Sequence, residues 1–176
     1  VTGSPAANEL AAEADVVIAI GTRLQDFTTG SHSLYAKAKL ISINVNTFDV
    51  IKWGGQSVQA DAAVALAALS HELGTWASDN AWQEKSRRLN GNWRSAIGEI
   101  VTTSRAALPT YAEVIGAVQA SSADSVSRDI AVCAAGTLPA ELHKLWRTSA
   151  PGGYHMEYGY SCMGYEVAGG LGVKMA

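Results

Sequence analysis

The sequence predicts an α/β chain in which two stretches of alternating helix and strand flank a helical connector. Three observations carry this reading. Apolar runs over residues 16–20 and 130–135 each end at a glycine, Gly21 and Gly136, as strands do where the chain turns off a sheet. Helix-start signals stand beside them at Ser4-Pro5, Asp61, Thr110 with Glu113, and Pro139. The third is length: at roughly 150 residues per domain, 176 residues make one full domain or two partial ones.

Ser4 is placed to cap a helix over 5–14 whose first position is Pro5, where a missing N–H costs nothing. Val16, Val17, Ile18, Ala19 and Ile20 are all apolar, which predicts a strand buried on both faces and hence a parallel sheet. A second strand is expected over 40–45 and a short third over 57–60. Asp61 then caps a helix whose Ala62, Ala65, Leu66, Leu69 and Leu73 share one face, with Gly74 just past its end. This alternation is that of an open parallel-sheet domain, of which 1–74 would be the C-terminal part.

Residues 75–108 read as a connector with amphipathic helical content. Trp76, Trp82, Trp93, Ile97 and Ile100 are spread among Lys85, Arg87, Arg88 and Arg94, which is the composition of a packed helix with a solvated basic face. A second α/β unit is expected over 109–176. Thr110 and Glu113 have capping-box spacing, and Tyr111, Val114, Ile115 and Val118 form its expected buried stripe. After a polar turn over 121–129 come the 130–135 strand, a helix from Pro139 through Trp146, and a break at Pro151-Gly152-Gly153. A tyrosine-rich loop and a last helix from about Met163 complete the unit. The chain opens on Val1 and closes inside a helical pattern, so it is expected to be an excerpt of a longer protein.

Composition removes several function classes. With 48% hydrophobic and 16% charged residues the chain can bury a core. Thirteen Lys+Arg against sixteen Asp+Glu, a net charge of −3, give no footprint for nucleic acid or an anionic membrane. The longest apolar run, over 62–69, falls far short of the roughly 20 residues of a spanning helix. Cys133 and Cys162 are too few for a disulfide scaffold and form no C-x-x-C pair, so a reducing, cytoplasmic setting is expected.

Three constellations bear on chemistry. His155 and Glu157 match the H-x-E opening of a zinc deaminase signature, but the P-C-x-x-C that completes that metal site is missing and only Cys162 follows. No metal site is assigned. Gly159-Tyr160-Ser161-Cys162-Met163 approaches a G-x-S-x-G nucleophile elbow, with Met163 where the strained turn needs glycine. No G-x-G-x-x-G follows a strand. The third constellation is the strand ending at Gly136-Thr137 and feeding a helix, a geometry that turns backbone N–H groups toward an anion beyond the sheet edge. A second glycine-bearing stretch, Gly159 to Gly164, carries Met163.

At these residues the chain resembles a known family. Ala134-Ala135-Gly136-Thr137-Leu138-Pro139-Ala140-Glu141-Leu142-His143-Lys144-Leu145-Trp146, followed by Tyr154-His155-Met156-Glu157-Tyr158-Gly159-Tyr160-Ser161-Cys162-Met163-Gly164-Tyr165-Glu166, resembles thiamine diphosphate-dependent enzymes of the acetolactate synthase superfamily. Within it the likeness is to the branch that opens a cyclic 1,2-dione in myo-inositol breakdown. Gly21-Thr22-Arg23-Leu24-Gln25-Asp26-Phe27-Thr28-Thr29-Gly30-Ser31 is similar to the central domain of the same branch. The likeness covers nearly the whole chain and is weakest over 75–108.

The resemblance implies a parent of three domains, with this chain holding the end of the central one and the start of the thiamine diphosphate-binding, pyrophosphate-side one. It implies that Gly136 and Thr137 open the diphosphate region. Met163 would be the wedge that bends the coenzyme, and the backbone of Ser161, Cys162, Met163 and Gly164 would meet its aminopyrimidine ring. The bend sets the pyrimidine nitrogen against the thiazolium C–H, so that this proton can be removed. Related synthases carry polar Gln and His after the glycine; here Leu138 and Pro139 follow Thr137, so those phosphate contacts are not transferred.

The family's catalytic glutamate would lie in the first domain and its magnesium ligands beyond residue 176, leaving no assigned catalytic residue in this chain. His143, His155 and Glu157 are candidates to lie near substrate, with structural hydrogen bonding as the alternative. The implied activity is hydrolysis of a C–C bond in a small cyclic dione by a homodimer or homotetramer, with neither nucleic acid nor membrane as partner. A carboligase or decarboxylase acting on a 2-oxo acid is the rival enzyme. A non-catalytic nucleotide-binding α/β module is the rival of another class.

Overall fold

The computed structural model describes residues 3–102, 107–121, 129–148 and 150–176. Residues 103–106 of the expected connector and 122–128 of the expected polar turn lie outside this description. The chain divides into two compact units, Val1–Trp93 and Arg94–Ala176.

In the first unit, helix α1 (Pro5–Glu13) starts as its sequence requires: the Ser4 hydroxyl accepts the Ala7 N–H at 3.2 Å and Pro5 opens the helix. Strands β1 (Val16–Ile20), β2 (Lys39–Asn44) and β3 (Gln56–Gln59) form a parallel sheet in that order, with Val17 opposite Leu40 and Ile41 opposite Gln56. Parallel neighbours need crossovers, and two short helices supply them: α2 (Asp26–Thr29) between β1 and β2, and α3 (Thr47–Ile51) between β2 and β3. Neither was expected, because one-turn helices show no periodicity. The Asn46 side chain does cap α3 by accepting the Asp49 N–H at 3.1 Å.

Ala19, Leu24, Tyr35 and Leu40 form the buried cluster of this unit, with Val17, Leu34 and Ala38 packed against it. The two-faced burial expected of β1 is not found. Val17 and Ala19 point into the cluster, whereas Val16 and Ile18, on the alternate face, are exposed. An apolar run shows that a face could be covered, but the covering layer is not among the described residues. Gly55 is required by packing, since a Cβ there would stand 2.4 Å from the Leu40 carbonyl oxygen.

Helix α4 (Ala62–Leu73) is capped by Asp61, which accepts the Ala63 and Val64 N–H groups at 2.9 and 3.1 Å. Of its expected stripe, Ala62, Ala65 and Leu69 are half-buried, while Leu66 and Leu73 are exposed. The connector resolves into one long helix, α5 (Asn80–Ile100), with the Trp82 N–H donating to Asp79. Lys85 on α5 pairs with Glu9 and Glu13 of α1, and its hydrogen bond to Glu13 holds the ammonium pKa above the usual lysine value.

The second unit begins with helix α6 (Tyr111–Ser121). The capping box forms: the Thr110 N–H donates to Glu113 Oε2 at 2.6 Å and the Glu113 N–H to Thr110 Oγ1 at 3.2 Å. Its expected stripe is corrected. Ile115 is buried together with Ala112, whereas Tyr111, Val114 and Val118 are exposed.

Strand β4 (Ala131–Cys133) pairs in parallel with β5 (Tyr154–Met156), Cys133 opposite Met156. Helix α7 (Thr137–Leu145) joins them and α8 (Tyr165–Met175) follows. The strand expected over 130–135 is shorter because the Ala134 N–H leaves the ladder and donates to Glu166 Oε1 at 3.1 Å. Helix α7 starts two residues before Pro139, whose absent N–H is one of the four that a first turn leaves free. The tyrosine-rich segment expected as loop opens with β5, too short to display alternation. The last helix starts at Tyr165, two residues later than expected, with Met163 on the loop before it. No helix among the described residues is long and apolar enough to cross a membrane.

Candidate functional site

Within the second unit, the β4–β5 pair delivers two turns to one edge. Leaving β4, the chain passes through Ala134, which is 0% exposed, and Gly136, at φ 141° and ψ −173°, before entering α7. That conformation belongs almost only to glycine. Gly136 is the N-cap residue of α7 and gives it no side-chain cap. The first-turn N–H groups and the positive end of the helix dipole are thus presented to an acceptor from outside the helix. Thr137 and Leu138 are exposed beside them.

Leaving β5, the Glu157 N–H donates to the Cys133 carbonyl at 2.9 Å, prolonging the ladder by one bond. The Glu157 carboxylate then accepts the Tyr160 and Cys162 N–H groups, each at 2.8 Å. This folds 157–162 into a tight loop with Ser161 at φ 57°. At the loop's end Gly164, at φ 90°, is the N-cap of α8 and likewise provides no side-chain cap. Glu166 fills that role: Oε2 accepts the Gly164 N–H at 3.1 Å while Oε1 takes the Ala134 N–H. One carboxylate therefore ties the β4–α7 turn to the loop bearing Met163. Met163 and Tyr160 project from this loop at 89% and 90% exposure.

The sequence-derived candidates occupy different places. Gly136 and Thr137 lie on the first turn, and Ser161, Cys162, Met163 and Gly164 on the second, both following the carboxyl ends of parallel strands. His143 is exposed in the last turn of α7, its ring 6.2 Å from that of Tyr154. His155 is exposed on β5 and, one residue after Tyr154, projects from the opposite face. The two histidines are not brought together. Among the described residues no group of three or more His, Cys, Asp or Glu is placed to hold a metal ion.

Glu166 carries no role in the sequence reading. The available signal was an acidic residue in the first turn of a glycine-capped helix; its bond to Ala134, 32 residues away, has no local signature. The Cys133–Tyr154 contact, Sγ to hydroxyl at 3.2 Å, was also missed. Burial first, and then the bond to Cys133, pushes the Tyr154 pKa up, which keeps this phenol neutral and structural.

Both glutamates are held below the usual carboxylate range. For Glu157 the chief cause is the Cys162 amide and then that of Tyr160; for Glu166 it is its own backbone amide, then that of Ala134. A carboxyl whose folded pKa is depressed contributes stability that is present above its unfolded value and lost as pH falls through the folded one. Both clamps are accordingly intact above the ordinary glutamate value of 4.5 and released progressively in more acidic solution. NMR titration of the two side-chain carboxyl carbons is expected to give midpoints under 4.5. Midpoints at or above that value would contradict the clamps.

Residues 1–76 match the family described as Thiamine pyrophosphate enzyme, central domain. The whole chain aligns with proteins named 3D-(3,5/4)-trihydroxycyclohexane-1,2-dione hydrolase. Identity is 39% to that of Geobacillus thermodenitrificans (strain NG80-2), 39% to that of Bacillus anthracis (strain CDC 684 / NRRL 3495) and 38% to that of Bacillus cereus (strain AH820). All of this chain is covered in each case, against 30%, 31% and 31% of those relatives, so it spans about a third of their length. Residues 1–76 therefore resemble a thiamine pyrophosphate enzyme central domain, and the chain over its full length is similar to the trihydroxycyclohexanedione hydrolases.

Proposed function

We propose that the chain is part of a thiamine diphosphate-dependent hydrolase that cleaves the C–C bond between the two carbonyl carbons of 3D-(3,5/4)-trihydroxycyclohexane-1,2-dione, giving 5-deoxy-glucuronate in myo-inositol breakdown. Residues 1–74 belong to its central domain, 75–108 to a connector and 109–176 to its coenzyme-binding domain. The observation that carries this reading is the full-length match at 39% identity to proteins bearing that name.

The donor set of the second unit suits thiamine diphosphate. The uncapped α7 N-terminus behind Gly136, with the Thr137 hydroxyl beside it, offers backbone and side-chain donors to a diphosphate. The loop from Ser161 to Gly164 offers the other kind of surface, an apolar Met163 side chain beside backbone groups for a ring that is apolar on its faces and polar at its edge. When bound, the coenzyme supplies the nucleophilic carbon and the electron sink that C–C cleavage needs. This chain's residues would bind and orient it: the α7 N-terminus would hold the anionic end and Met163 would pack against the ring portion, while Glu157 keeps the loop folded through the Tyr160 and Cys162 amides. With both its oxygens engaged by these amides, Glu157 positions the loop and moves no proton.

Magnesium, which this reading implies, would neutralise the diphosphate; among the described residues no group of three or more His, Cys, Asp or Glu is placed to hold it. The parent assembles as a homodimer or homotetramer in the cytoplasm, where the free thiols of Cys133 and Cys162 persist. The test is an assay of the full-length protein with thiamine diphosphate and magnesium. Acid release from the cyclic dione is expected, and no acetolactate from pyruvate. Acetolactate formation would instead favour the carboligase reading. Calorimetric binding of ADP, FAD or NAD without any response to thiamine diphosphate would favour a nucleotide-binding module.

A further inference from the structure

In the second unit one side chain joins both halves of the candidate site. Glu166 Oε1 accepts the N–H of Ala134 and Oε2 that of Gly164, both at 3.1 Å. No ion pair involving Glu166 occurs among the described residues, so its charge is held by backbone amides at the start of α8. Ala134 is 0% exposed, and removing the carboxylate leaves its N–H buried without this acceptor. Gly164, having no side chain, cannot cap α8 by itself. Each oxygen thus meets a need on a different segment, adding a side-chain tie to the backbone bond from the Glu157 N–H to the Cys133 carbonyl that joins the two strand ends.

We infer that Glu166 is a positioning residue that fixes the separation of the β4–α7 turn and the Met163 loop, so that a ligand gripped at both ends binds as one unit. This rests on the reading of the two turns as the two ends of one thiamine diphosphate site. When a ligand with two recognition elements is held by a rigid pair of subsites, binding at one raises the effective concentration at the other, and a loosened linkage forfeits that gain. Either subsite alone needs no such linkage. Glu166 therefore matters for the intact coenzyme and little for one of its ends.

Two probes separate these effects in the full-length protein: thiamine diphosphate with magnesium, and inorganic diphosphate with magnesium. Calorimetry on Glu166→Ala is expected to show thiamine diphosphate weakened at least tenfold and inorganic diphosphate within twofold of the unmutated protein. Glu166→Gln keeps one carbonyl acceptor and is expected to fall between. If the alanine variant does not fold, the same comparison of probes on the glutamine variant decides. Equal weakening of both probes, or of neither, would assign Glu166 a purely structural role and overturn the inference. An unmutated protein that binds no thiamine diphosphate would overturn the functional reading itself, a result distinguishable because it needs no variant.

Discussion

Met163→Ala is expected to lower turnover of the cyclic dione about 10²-fold, the loss that a misplacement of about 1 Å causes in a reacting pair, while changing stability by no more than about 0.5 kcal/mol. The separation of the two effects follows from exposure. At 89% exposed, Met163 contributes little to a core, so truncation leaves no cavity behind. What it removes is the only large apolar side chain on the loop between Ser161 and Gly164, the one available to shape a bent ligand. Met163→Leu conserves volume and is expected to recover most of the activity. Steady-state kcat and KM with thermal unfolding of the same samples provide the check. Wild-type turnover in the alanine variant would remove Met163 from the site.

Gly136→Ala is expected to destabilise the protein by about 1–3 kcal/mol, the cost of holding an L-residue in a backbone region reserved for glycine, and to weaken thiamine diphosphate more than tenfold. Space is not the obstacle, because a Cβ at this position would meet nothing nearer than Pro139 Cδ at 3.6 Å. The obstacle is φ at 141°, which aims the following amides off the end of β4. Relief of strain must rotate those amides away from a bound diphosphate. Urea unfolding with and without coenzyme measures both consequences, since a bound ligand stabilises by RT ln(1 + [L]/Kd). An unchanged ligand-induced stabilisation would show that the turn does not contact the coenzyme.

The legible part of the fold lay where one residue type answers one local need. Ser4, Asp61 and the Thr110–Glu113 pair accept the backbone donors their positions predicted, and Gly74 ends α4. The parallel sheet that holds β1 and β2 followed from the continuous apolar run over residues 16–20. Burial was less legible. Val16, Ile18, Val114 and Val118 carry the pattern of covered positions and are exposed, because periodicity marks a face without saying what lies against it. β5 escaped notice because three residues cannot show a period, and its pairing with β4 is a contact between segments distant in sequence.

The candidate site divides the same way. By itself the sequence determined that a glycine turn follows a strand at Gly136 and that a glycine-bearing loop carries Met163, since glycine and chain reversal are local backbone requirements. Only the tertiary structure decided that the two turns share one edge of a sheet, that the Glu157 carboxylate folds the loop by accepting the Tyr160 and Cys162 amides, and that Glu166 fastens the turns together. The physical reason is that a carboxylate accepts hydrogen bonds from whichever amides the fold brings within about 3 Å, and nothing in the neighbouring residues names a partner 32 positions away.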